Sequence, residues 1–273
     1  MPEQTIFLID NGSLRPESTL GLRRLAEQLS ELCGRRVEAV SLLHSHKIDP
    51  ELTGGVPATI VKRRLRELAK QGAKEFIFLP LFLGPSLAIV DYLPTVVDEV
   101  RAEYSDLNVK IAGVLVGTDP DQPDPRLARM IAELVRSMSP SLETKVALVD
   151  HGTPIEQVNR VRNAVAEQVR EELKNEVSLV LPCSMERRDG EAYAFNEPLL
   201  ESLGGVTGFS GGHLILAMFF LLPGRHAGEG GDVAEIYSEL ISEGYFDTIE
   251  TTPLLGESPH LLEILNDRLQ EVL

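Results

Sequence analysis

Three short polar stretches, each directly behind an apolar run, hold the side chains best suited to chemistry. They are Asp150-His151-Gly152-Thr153, Cys183-Ser184-Met185-Glu186-Arg187-Arg188 and Pro223-Gly224-Arg225-His226. Imidazole with carboxylate suits a borderline divalent cation such as Fe2+ or Co2+. Imidazole also matches proton transfer near neutral pH. His151, His226 and Glu186 are therefore the candidate catalytic and metal-contacting residues. Arg187, Arg188 and Arg225 border them, and a guanidinium grips a carboxylate through paired hydrogen bonds.

Each residue also has a plainer reading. A histidine beside glycine at a strand end can be a turn residue, and Glu186-Arg187-Arg188 can be a solvated loop. Asp232 either caps a helix beginning at Val233 or meets a ligand. His44 and His46 share a surface loop, His213 opens an apolar run and reads as structural, and His260 stands where a helix begins. Cys183 reads as a small buried thiol.

Strands alternating with helices are needed to bring such distant residues together. Short β-branched or aromatic runs predict buried parallel strands at Thr5–Asp10, Val37–Leu43, Glu75–Leu83 and Val109–Val116. They recur at Lys145–Asp150, Val177–Cys183, His213–Leu222 and Thr248–Leu254. Helical faces lie between them: Leu20, Leu22, Leu25, Leu29 and Leu32; Ile60, Leu65 and Leu68; Ile131, Leu134 and Val135. Further helices are expected near Pro154–Leu173, Glu197–Leu203, Val233–Ser242 and Pro259–Val272. The chain repeats itself at an offset of 140, where Leu8, Asp10 and Gly12 meet Leu148, Asp150 and Gly152. Two similar α/β domains, 1–139 and 140–273, follow, each a flavodoxin-like four-stranded parallel sheet with helices on both faces. In such sheets ligands bind at the carboxyl ends of the strands, where the three polar stretches fall.

A strand ending in His-Gly-Thr, a glutamate after the second strand, then Phe220-Leu221-Leu222-Pro223-Gly224-Arg225-His226 and a downstream Asp232 resemble the sirohydrochlorin chelatases. These are ATP-independent enzymes related in fold to the protohaem ferrochelatases. With the duplication, the resemblance spans essentially the whole chain, as a two-domain, chelatase-like protein with a degenerate first half. It implies a lyase that inserts Fe2+ or Co2+ into sirohydrochlorin, for sirohaem or cobalamin synthesis. His151, His226 and Glu186 would act on metal and protons, while Arg187, Arg188, Arg225, Gly152 and Thr153 would contact the polycarboxylate macrocycle. The metal would be a substrate, with no tightly bound cofactor. The first half departs from the pattern: Asn11 stands where His151 does, Ala88 where His226 does, and His46 falls opposite Glu186. Two-domain relatives of this kind keep their histidines in the first half, so the active half is exchanged here. A non-catalytic metal or tetrapyrrole binding protein of the same fold is the alternative.

Composition narrows the rest. Among 273 residues, 26 Lys and Arg face 42 Asp and Glu, a formal charge of −16. That balance argues against nucleic acid or an anionic membrane as partner. Two cysteines, Cys33 and Cys183, are too few for a disulfide framework. The N-terminal residues do not read as a signal peptide and no apolar run reaches bilayer length, so a cytoplasmic monomer or homodimer is expected. Gly208-Phe209-Ser210-Gly211-Gly212 fits a hydrolase elbow in pattern, but it precedes a strand instead of following one. No phosphate-binding glycine loop is present.

Overall fold

The computed structural model describes residues 4–228 and 230–273. Strands β1 (Thr5–Asp10), β2 (Val37–Ser41), β3 (Glu75–Pro80) and β4 (Asn108–Ile111) form a parallel sheet in the order β2-β1-β3-β4. Strands β5 (Lys145–Asp150), β6 (Leu179–Ser184), β7 (His213–Met218) and β8 (Thr248–Thr251) form a second, in the order β6-β5-β7-β8. In β1, β3, β5 and β7 every residue after the first is buried, as expected of inner parallel strands covered on both faces. β1 and β5 coincide with their sequence expectations. Other strands are shorter than their apolar runs, because Leu81 and Val114–Val116 continue into loops that are themselves buried.

The helices are α1 (Pro16–Cys33), α2 (Val61–Lys70), α3 (Leu93–Arg101), α4 (Pro125–Ser137), α5 (Glu156–Leu173), α6 (Asp232–Ser242) and α7 (His260–Gln270). Proline in the first turn starts α1, and Gly34 in the left-handed conformation ends it. Asp124 starts α4 by accepting from the Arg126 amide. On α1 the buried stripe is Leu22, Leu25 and Leu29; Leu20 and Leu32, expected on the same face, turn outward. The helix expected over Glu197–Leu203 does not form. Glu197 and Leu199 are extended, and short 3-10 turns at Glu191–Asn196 and Leu200–Gly205 occupy the region. The Pro198 carbonyl instead accepts from the Ser184 amide beside β6.

The chain divides into two compact units, and they are not the contiguous halves 1–139 and 140–273. One comprises residues up to Thr118 with Leu222–Gly224 and Pro259–Leu273; the other comprises Asp119–Leu221 with Arg225–Ser258. The final helix of each repeat has been traded. α4 packs on α5 and β7, and α7 on α1 and β3. Leu127, Met130, Ile131 and Val135 are the buried face of α4; Leu261, Ile264, Leu265 and Leu269 are that of α7. Arg268 of α7 is fixed by donating to the carbonyls of Val114 and Leu115.

Candidate active site

Sheet order determines where a ligand can enter the second unit. From β5 the chain passes to β6 on one side, then to β7 on the other, so the crossovers part at the carboxyl ends of β5 and β7. This switch point is where open α/β sheets bind ligands. His151 leaves β5 there, and His226 follows β7. Pairing beyond the strand ends brings in Glu186, since Met185 and Glu186 donate their amides to the carbonyls of Asp150 (2.7 Å) and His151 (3.2 Å). Gly152 makes the approach possible. Its φ is +92°, and an added Cβ would lie 1.8 Å from the Glu186 carbonyl oxygen. His226 is hooked to the start of α6, where Asp232 and Val233 donate to the carbonyls of Arg225 and His226.

The two imidazole rings lie 4.4 Å apart between centroids, inclined by 60°. His226 Nδ1 is 2.7 Å from Asp232 Oδ2. A carboxylate can only accept, so the proton sits on Nδ1 and leaves Nε2 as the lone-pair nitrogen. His151 Nδ1 likewise meets the Gly152 carbonyl at 3.0 Å and donates to it. Its Nε2 then faces Glu186 Oε1 at 3.3 Å. A lone pair and a carboxylate facing at that range need a cation between them, either a proton or a metal. His151 and Glu186 are half exposed, and His226 is about one-third exposed. Among the described residues, no group of three or more His, Cys, Asp or Glu side chains is arranged to hold a metal ion outright.

The remaining candidates divide. Arg225 is 82% exposed and only 3.5 Å from Asp232, leaving its guanidinium available. Arg188 is exposed, with its guanidinium 5.8 Å from the centre of the Tyr193 ring. Arg187 is committed instead, pairing with Glu197 at 2.6 Å and donating to the carbonyls of Arg188 and Gly190. Thr153 offers no free amide, since that amide donates to Asn196. Asp232 does not cap α6, because Gly231 is the capping residue and the carboxylate is turned to His226. His213 binds Thr144 and Glu250 at the amino end of β7. Exposed Ser210 precedes that same end, away from any elbow. Burial drives the Cys183 thiol far up, so it stays protonated. His260 belongs to the first unit.

Beneath the cluster lies a polar group that sequence reasoning missed. Arg162 of α5 is 1% exposed. Its Nη1 donates to Ser184 Oγ at 2.5 Å and to the Asn196 carbonyl at 3.1 Å, and lies 3.6 Å from Asp150 Oδ1. Ser184 in turn donates to Asp150 at 2.6 Å. Burial raises the Asp150 carboxyl above its ordinary value, while Arg162 and Ser184 pull it back.

The first unit repeats this backbone without its chemistry. Gly12 has φ +87°, and its added Cβ would lie 1.8 Å from the Leu43 carbonyl oxygen. Leu43, not His46, is thus the counterpart of Glu186, and it donates its amide to Asn11 as Glu186 does to His151. The sequence alignment slipped because the connection from α5 to β6 is three residues longer than that from α1 to β2. Ala88 opens a π-helical turn that runs into α3. Asp10 is buried like Asp150 but has Leu22 at the helix position of Arg162, and burial lifts its carboxyl to about 6.

Residues 5–137 match the CbiX family model. No curated protein sequence matches the chain. Among solved structures, SirB from Bacillus subtilis with Fe3+ superposes with a TM-score of 0.70 at 16% identity, covering 98% of this chain and 95% of that one. The cobalt complex of the sirohydrochlorin chelatase SirB from Bacillus subtilis subspecies spizizenii gives 0.68 at 12% identity, covering 98% and 94%. CbiX, described as the terminal enzyme of sirohaem biosynthesis in denitrifying bacteria, gives 0.60 at 14% identity, covering 98% and 99%. The family match falls on the half that lacks the histidines, whereas the fold match takes in both. The chain as a whole has the fold of the SirB and CbiX chelatases.

Proposed function

We propose that the protein inserts a divalent metal, Fe2+ or Co2+, into sirohydrochlorin, and that the second half of the chain performs the reaction. The observation that carries this reading is the pairing of two differently held imidazoles with a carboxylate at the β5/β7 switch point. Metal insertion replaces two pyrrole N–H protons by one M2+ ion, so the site must present a cation and take up protons. His226 suits the base: Asp232 fixes its tautomer, points Nε2 outward and stabilises the imidazolium that forms. His151 and Glu186 suit the incoming metal, since a cation between them replaces the proton they otherwise share. The second proton leaves through Glu186 to solvent, which its exposure permits.

Charge favours the same division of labour. Residues 140–273 hold 9 Lys and Arg against 23 Asp and Glu, a field that draws divalent cations and repels a polycarboxylate. The macrocycle's carboxylates therefore need local cations, and Arg225 and Arg188 supply them; Arg187 is occupied by Glu197.

The test is anaerobic absorbance of sirohydrochlorin with Fe2+ or Co2+, using wild type, His151→Ala and His226→Ala. Many metallated macrocycles per chain, with the acceleration lost in both variants, is the expected result. Stoichiometric binding without acceleration overturns catalysis and leaves a carrier of metal or tetrapyrrole.

A further inference from the structure

Asp150, Ser184, Arg162 and Asn196 come from four separate places in the second unit and close on one another out of solvent. Asp150 and Asn196 both extend bonds to one short turn. Asp150 Oδ1 accepts from the Gly152 amide at 3.1 Å. Asn196 accepts from the Thr153 amide at 3.0 Å and donates to the Thr153 carbonyl at 2.9 Å. The His151-Gly152-Thr153 turn is thus gripped from both sides, and Arg162 bonds to both grips, which otherwise meet only in the long 3.5 Å contact of Ser184 Oγ with Asn196 Oδ1. It reaches Asp150 through Ser184, and Asn196 through its main-chain carbonyl.

The first unit is an internal comparison. It has the same strand end, the same glycine at positive φ and an equally buried aspartate, yet Leu22 stands at the arginine's helix position. One oxygen of Asp10 there has no hydrogen-bond partner. A buried arginine is costly unless it is fully used, and helix packing does not require it where Leu22 serves. The half with arginine at this helix position is the half with histidine, and not asparagine, at the strand end.

From this we infer that Arg162 is a positioning residue. It joins Asp150 and Asn196 into one clamp that holds the His151 turn, so that the imidazole stays in register with Glu186 and His226. It touches neither metal nor macrocycle. Direct hydrogen-bond partners of a metal ligand typically change metal affinity about 10- to 100-fold when lost, and this is the scale expected of a clamp that holds the ligand's own turn.

The experiment compares Arg162→Leu, which installs the first half's residue, with Arg162→Lys, Asn196→Ala and the reference His151→Ala. Three readouts are taken on the full chain: thermal midpoint, amide hydrogen exchange at Gly152 and Thr153, and titration with Co2+ alone. In Arg162→Leu and Asn196→Ala, exchange at those two amides should rise and Co2+ affinity should fall about 10- to 100-fold. Arg162→Lys keeps the charge and should recover much of both, which mere loss of volume does not explain. Asn196→Ala leaves no buried charge unpaired, so it carries the test if Arg162→Leu fails to fold. Wild-type exchange in these folded variants overturns the inference. So does unchanged Co2+ binding in Arg162→Leu and Asn196→Ala where His151→Ala abolishes it. The metal arm rests on the proposed function, whereas the exchange arm does not. If His151→Ala leaves Co2+ binding intact, the proposed metal site fails, and amide exchange alone decides the role of Arg162.

Discussion

Replacing Asp10 with asparagine should change how stability depends on pH, by an amount set by its burial. The Asp10 carboxyl is 7% exposed as a residue, and its folded value is about 6 against an ordinary 3.8. Desolvation is the main cause, and bonds from Ser41, Gly12 and Ser18 offset only part of it. Because the folded value lies above the unfolded one, the folded state binds the proton more tightly. The contribution is fully present below the unfolded value and is lost as pH rises through the folded one. Integrated between the two values, ionised Asp10 costs the folded protein about 3 kcal/mol at high pH. Asparagine cannot ionise, so the stability of Asp10→Asn relative to wild type should rise by about 2.5 kcal/mol between pH 4 and pH 7. Any constant penalty from burying the extra amide shifts the whole curve and leaves this slope unchanged. Urea unfolding at several pH values in that interval, extrapolated to water, measures it. Parallel curves for the two proteins would show that Asp10 is not the destabilising carboxylate.

Two further predictions concern the duplicated turn and the histidine pair. Gly12→Ala and Gly152→Ala create the same 1.8 Å conflict with a carbonyl oxygen, so both should destabilise by more than about 1 kcal/mol in denaturant titrations. If the active half is the second, only the fraction of Gly152→Ala that remains folded should also lose metallation per folded chain; equal loss in both refutes that assignment. Asp232→Asn keeps a hydrogen bond but can present an N–H to His226 and no longer balances an imidazolium. Its metallation rate should fall about 10- to 100-fold, with Co2+ binding changed less. A rate equal to wild type removes His226 as the base.

The strand ends and the glycine turns are legible in the sequence because each depends on its own neighbourhood. Four apolar residues before Asp150, and a glycine two residues beyond it, suffice to predict a buried strand and a tight turn. The same local logic misses Arg162. In an amphipathic helix an arginine reads as solvent-facing, and only the buried carboxylate and amide brought from elsewhere in the chain give it a place inside. It misses the pairing of Asp232 with His226 for a related reason, since the start of a helix offers aspartate a cap as readily as a partner. Nor can an apolar stripe say which sheet it will cover. The stripes on α4 and α7 are clear in the sequence, and their destinations are not.

That trade of terminal helices bears on how the protein can be divided. A fragment ending at residue 139 would carry α4 with Leu127, Met130, Ile131 and Val135 bared, and would lack the helix that closes over α1 and β3. The complementary fragment would carry α7 with nothing to lie against. Each fragment displays the apolar face that suits the other, or the same face of its own kind, so the expected fate of a separated half is exchange-mediated pairing or precipitation. Loss of either sheet also strips a helix from the opposite repeat, which ties the half with Asn11 to the persistence of the half with His151 and His226. A duplicated half without the histidine pair can be indispensable all the same, as the source of a helix its sibling cannot supply for itself.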